Sequence, residues 1–187
     1  MLNEKKYNPK FNAERYSQWV RISIGWISTD LSGGLMTRLQ GLGILDAELY
    51  DINKFDIHQT LENDLTVFDH VNIKSYLWVL GVYEFFRMYD QKLKENPELV
   101  NKEVTEYVNS AKKEFSRIRV PLAKLEPSYK FRNVDYAIPK LGANDVQLGW
   151  TINDNEIIWY RDLSDLAINA LTQIRIYRIN KNLNSTK

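Results

Sequence analysis

The 187-residue chain contains no cysteine, which removes disulfides, thiolate nucleophiles, iron–sulfur clusters and cysteine zinc sites together. A small secreted protein without disulfides is less usual, so the expected location is the cytoplasm. Long apolar runs are also missing. The longest uncharged apolar stretch near the middle runs only from Ser75 to Tyr83, between Lys74 and Glu84. A bilayer span needs about 20 such residues, so no membrane partner is expected. The opening MLNEKKYNPKFNAER is charged and leads into no apolar segment, so it is not read as a signal peptide. An excess of one charge is lacking too, the net being +1, whereas nucleic-acid-binding domains are usually basic overall. Alanine is scarce while Asn, Ile, Lys and Tyr are plentiful. That bias suits an AT-rich genome, such as that of a low-GC bacterium or one of its mobile elements.

Catalytic and cofactor motifs are absent as well. There is no GxSxG elbow and no SxxK. Ser32-Gly33-Gly34 and Gly41-Leu42-Gly43 fit neither GxGxxG nor GxxxxGK[ST], and read as turns and helix stops. His58 and His70 lie among Asp56, Glu62, Asp64 and Asp69, but form no HExxH and match no standard metal spacing. No His lies beyond His70, and neither Arg21 nor Arg38 is near His58, so the Arg–His pair of a helical ribonuclease is missing. No catalytic residue, metal ligand or cofactor is therefore assigned.

What is present is a globular composition, 44% hydrophobic and 26% charged, with aromatics enough to fill a core. No repeat, low-complexity tract or Pro/Gly/Ser-rich linker divides it. One domain over residues 1–187 with frayed ends is expected. The charge is uneven: residues 41–70 hold seven acids and one Lys, and residues 110–140 hold eight basic residues and three acids. Such blocks either meet in the fold or mark two different surfaces.

Residues 12–31 fit a helical face through Tyr16, Trp19, Val20, Ile24, Ile27 and Leu31, with Asn12 as N-cap. They also fit a strand through Val20, Ile22, Ile24 and Trp26. The length of the pattern favours helix. A short helical stretch is predicted at Leu35–Gln40, closed by Gly41 and Gly43, and residues 44–65 read as irregular and acidic. The clearest element is a helix over about 66–94. Val82, Phe85, Phe86, Tyr89 and Leu93 share its apolar face, opposite Glu84, Arg87, Gln91 and Lys94. Asn96-Pro97 signals a restart, with a second helix over 97–119 that Pro121 should end. The short link makes the two an antiparallel pair.

Residues 120–145 read as an extended, wrapping segment. A β-hairpin is predicted over about 146–160, turning at Asp154-Asn155. Its register pairs Ile152 with Ile157, Thr151 with Ile158 and Trp150 with Trp159, which would place both tryptophans on one face. A closing helix is predicted over about 162–180, with Leu163, Leu166, Ala167, Ala170, Leu171, Ile174 and Tyr177 as its core stripe. The expected fold is thus mainly α with a minor β element.

Two surfaces are candidates for binding. The Trp150–Trp159 face either docks on the helices or anchors a partner. Arg117, Arg119 and Lys124 are expected to form one exposed basic patch. They belong to a run in which basic residues alternate with Phe115, Tyr129, Phe131 and Tyr136, a mixture suited to phosphates and stacked bases. The first functional reading is a non-enzymatic protein-interaction module, such as an inhibitor, immunity or accessory component of a bacterial or mobile-element system. The alternative is a single-stranded nucleic-acid binder, or a catalytically inactive nuclease-like helical domain, using residues 112–140.

Overall fold

The computed structural model describes residues 10–24, 34–61, 65–96 and 101–185. Six helices and three strands lie among them: α1 (Ala13–Ile24), α2 (Gly34–Leu49), α3 (Lys54–Leu61), α4 (Leu65–Glu95), α5 (Lys102–Lys124), β1 (Lys140–Ala143), β2 (Leu148–Asn153), β3 (Glu156–Trp159) and α6 (Tyr160–Ser185). The fold is mainly α with a small antiparallel sheet ahead of the closing helix, as the sequence predicts.

Residues 13–24 are helical, and Asn12 is the cap, its Oδ1 accepting the Arg15 amide at 2.9 Å. The rest of the ambiguous 12–31 stretch lies outside the described residues. α2 does not stop at its glycines but runs through Gly41 and Gly43 to Leu49. A Cβ at Gly43 would sit 2.4 Å from the Trp19 Cβ, so that glycine lets α1 and α2 pack closely. Tertiary contact thus outweighs the helix cost of glycine, about 1 kcal/mol. Of the 44–65 stretch expected to be irregular, residues 44–61 hold the end of α2 and all of α3, while 62–64 lie outside the described residues. α3 is opened by Asn53, whose Oδ1 accepts the Phe55 and Asp56 amides at 2.9 and 3.2 Å.

α4 and α5 are the expected antiparallel pair. Glu84 meets Arg119 and, further along α4, Asp90 meets Lys112 earlier on α5. Val82, Phe85, Phe86, Tyr89 and Leu93 are all buried. The boundaries of α5 differ from expectation. Asn101, not Asn96, caps it, accepting the Val104 amide at 3.1 Å; residues 97–100 lie outside the described residues. Nor does it end near Arg119. Pro121 sits buried inside the helix, which closes at Leu125 in the left-handed region (φ 58°), the Leu125 amide reaching the Pro121 carbonyl at 2.9 Å. A proline so near the end disturbs few carbonyls, and its ring packs in the core.

The sheet corrects two further expectations. The wrapping segment ends in a strand, β1, which pairs with β2 and makes the hairpin three-stranded. The turn at Asp154-Asn155 is as predicted, but the register is shifted by one. Trp150 pairs with Ile158 and Gly149 with Trp159, because an irregularity between Thr151 and Asn153 inserts Ile152 as an extra residue. A one-residue slip reverses which face a side chain takes. α6 begins at Tyr160, directly after β3, and reaches Ser185 rather than ending near 180.

An aromatic chain joins the sheet to the helices. Trp150 packs on Tyr160 at 6.0 Å between centroids, Tyr160 on Trp78 at 4.7 Å, and Trp78 on Phe115 at 5.4 Å. All four are buried, and such rings contribute well beyond their area. No helix among the described residues is long and apolar enough to cross a membrane.

Candidate functional site

The five residues singled out from the sequence are not brought together. Trp150 is buried and faces the helices. Trp159 is half-buried on the other face of the sheet, its ring covering Gly149, where a Cβ would meet it at 2.6 Å. The two therefore form no common anchor. Nor do Arg117, Arg119 and Lys124 make one exposed patch. Arg117 is only 6% exposed. It donates to Asp135 at 2.9 and 3.0 Å and to Glu156 at 2.7 and 2.8 Å, and its guanidinium stacks on Phe131 at 4.1 Å. The hydrogen bonds that it donates to Asp135, and then to Glu156, raise its pKa further against the opposing effect of burial. This clamp fastens α5 to the connecting loop and the hairpin turn. Arg119 is half-buried against Glu84 at 3.0 Å, and Lys124 is exposed.

A second buried polar knot was not legible in the sequence. Asp46 of α2 has no exposed surface. Its carboxylate accepts from Arg15 Nε and Trp19 Nε1, both at 2.7 Å, from Tyr160 Oη at 2.8 Å and from Ser164 Oγ at 2.5 Å. Arg15 also donates to Ser164, reaches Asp165 at 2.8 Å and lies over the Tyr50 ring. α1, α2 and α6 are thus fastened around one satisfied charge. Burial, and next the Asp46 charge, hold the Tyr160 hydroxyl well above its ordinary pKa.

The acidic and basic blocks find other partners. Asp46 pairs with Arg15, Glu48 with Lys74 and Asp51 with Arg161. From the basic block, Lys112 pairs with Asp90 and Arg132 with Glu126. His58 and His70 are both exposed, and among the described residues no three His, Asp or Glu converge as a metal site.

A concavity lies between α2 and α4. These helices run antiparallel, with Leu42 seated on Gly81 and Glu48 bonded to Lys74 at 2.7 Å. Along their other halves a groove of about 450 Å³ lies between them. α2 lines it with Leu35, Arg38, Gly41 and Leu42, and α4 with Gly81, Glu84, Phe85, Arg87 and Met88. Leu35 and Phe85 form a buried floor. The rim is charged. Glu84, on the polar face of α4 expected from the sequence, is shared by Arg87 at 2.5 Å and Arg119 at 3.0 Å. The Glu84 hydrogen bond raises the Arg87 pKa. Arg38 is exposed and has no acidic partner among the described residues. An apolar floor with a few polar groups at its edge is the usual make-up of a binding cleft.

Comparison of the chain with protein-family models, with curated proteins and with solved structures gives no match.

Proposed function

We propose that the chain is a non-enzymatic protein-interaction module that receives a partner in the α2–α4 groove. The observation that carries this reading is the groove itself: an apolar floor beneath a charged rim, open along two exposed helix faces. The two strongest buried charge clusters support it indirectly. Asp46 and Arg117 are saturated by internal partners and serve as fasteners rather than as open binding groups, and the Asp46 knot anchors α2, one wall of the groove, to α1 and α6. A compact module with a preformed cleft suits an inhibitor, immunity or accessory component of a bacterial or mobile-element system.

The test is site-specific crosslinking of the full chain in its own host. A photoreactive phenylalanine in place of half-buried Met88, at the groove lining but away from the Gly41 notch, should yield a discrete protein adduct, whereas the same group at Asp69, on the exposed surface of α4, should not. Equal adducts at both positions, or none at 88, would remove the groove as the binding surface.

A specific observation also supports the nucleic-acid alternative. Tyr129 is 86% exposed and sits beside exposed Lys130 and Arg132, with exposed Lys124 on the helix that precedes them. An exposed ring among cations can stack a base while the cations hold phosphate. This surface retains Lys124 from the expected patch but neither buried arginine. Salt-sensitive binding of single-stranded RNA, lost in Tyr129→Ala, is the outcome this reading requires.

A further inference from the structure

We infer that the occupant of the α2–α4 groove is an acidic amphipathic helix, whose apolar side chain fills the notch at Gly41. The inference rests on the groove reading and adds the chemistry of the partner.

Three glycines interrupt helices around this region, and two have their notches filled from within the protein. Gly43 receives Trp19, and Gly81 receives Leu42, at distances no Cβ would allow. Gly41 immediately precedes Leu42 on α2, within the groove lining, yet a Cβ there would meet nothing within 4 Å among the described residues. A glycine in a helix interior costs about 1 kcal/mol relative to alanine, and among the described residues no contact offsets it at position 41. The same device that seats Trp19 and Leu42 is present and empty at the surface.

The rim sets the charge of what would fill it. Arg38 and Arg87 present two guanidiniums on the groove lining against the single carboxylate of Glu84, whose charge is further offset by Arg119 of α5 at 3.0 Å. Arg38 is unpaired among the described residues, and Arg87 is 52% exposed. Guanidiniums bind carboxylates through paired, directional hydrogen bonds. Two helices lining a trough offer a third helix its natural seat, with apolar anchors at i, i+3 or i+4 and i+7. The complementary partner carries those anchors on one face, with Glu or Asp flanking them.

The test pans a display library of random 16-residue peptides against the full chain. The selected peptides are then measured by fluorescence anisotropy against three proteins: the parent, Gly41→Trp and Arg38→Glu. Both changes are at exposed positions, and circular dichroism checks that each variant is folded. Acidic, amphipathic peptides should be enriched. Gly41→Trp should abolish their binding, and Arg38→Glu should weaken it by about tenfold or more, the loss expected for one charged hydrogen bond. Neutral or basic peptides that still lose binding in Gly41→Trp would overturn the acidic partner while leaving the groove as the site. Peptides unaffected by Gly41→Trp, or no enrichment, would overturn the inference and the groove reading together.

Discussion

Trp150 and Trp159, in adjacent strands of one hairpin, lie on opposite faces of the sheet. Trp150 is 1% exposed and packs on Tyr160, while Trp159 spreads over Gly149 on the outer face. Their truncations should differ accordingly. Trp150→Ala should cost about 3–5 kcal/mol, the range for a large buried aromatic. Trp159→Ala removes a half-buried ring and should cost roughly half as much or less. Urea denaturation of the two single mutants decides it, and equal losses would mean that the one-residue register shift is wrong.

That shift shows what the sequence could and could not disclose. The turn at Asp154-Asn155 follows from local chemistry and was legible. The bulge at Ile152 adjoins Asn153, whose side-chain amide donates to Asp135, 18 positions away, and such distant contacts are not legible in a local pattern. The same division holds elsewhere. Asn12 as a cap and Phe86 as core are local properties of one helix. Helix α2 was misread because Gly41 and Gly43 look like stops until Trp19 is placed beside them. Asp46 looked like one acid among seven, since its partners lie 27 to 118 positions off. The groove was invisible for the same reason: it needs α2 and α4 side by side. Of the five expected site residues, only Lys124 has the fully exposed setting foreseen for it.

The Asp46 knot gives a second prediction. Asp46→Ala leaves Arg15 without its buried counter-charge, and breaking such a pair costs about 3–5 kcal/mol. Tyr160→Phe removes one donor and should cost about 1–3 kcal/mol. Thermal or urea melts measure both. A loss below about 1 kcal/mol for Asp46→Ala would show that the three helices do not depend on this charge.

Reversing Arg117, Arg119 and Lys124 together to Glu cannot probe a surface, because Arg117 is the centre of a buried clamp. The triple change should unfold the protein, since it places a third carboxylate beside Asp135 and Glu156. Reversing Lys124, Lys130 and Arg132 instead should leave the melting curve nearly unchanged, as exposed changes are usually within about 0.5 kcal/mol. Any nucleic-acid affinity of the parent should vanish in that variant. Affinity that survives there would place the binding elsewhere.

The clamp also fixes a pH dependence. The Arg117 hydrogen bond holds the Glu156 carboxyl below its ordinary value of 4.5. The folded state therefore favours the ionised form, and the stabilisation is present above about pH 4.5. It is lost as the pH falls through the lowered folded value, because the unfolded chain takes up the proton first. Asp90 acts in the same direction: burial opposes its ionisation, but the hydrogen bonds from Lys112 and Lys94 prevail. Glu156→Gln should therefore flatten the acid limb of the stability curve below about pH 4.5. An acid limb as steep as the parent's would mean that the Glu156–Arg117 contact is not formed in solution.

Replacing each of three helix glycines by alanine should give three different results from one chemical change. Gly43→Ala drives a Cβ to within 2.4 Å of the Trp19 Cβ and 2.7 Å of its Cγ. Those atoms are the root of a buried side chain and cannot swing away, so the overpacking should cost about 1–3 kcal/mol. Gly81→Ala meets chiefly the Leu42 Cδ2 at 2.5 Å, the far end of a flexible, half-buried side chain. Rotation of Leu42 can relieve that clash, and the helix gain of alanine offsets what strain remains, so the net change should be small. Gly41→Ala meets nothing and should stabilise the free protein by up to about 1 kcal/mol through helix propensity alone. Differential scanning calorimetry of the three variants orders them. If Gly41→Ala destabilised the free chain, the notch would already be filled from within, and the vacancy that invites a partner would not exist.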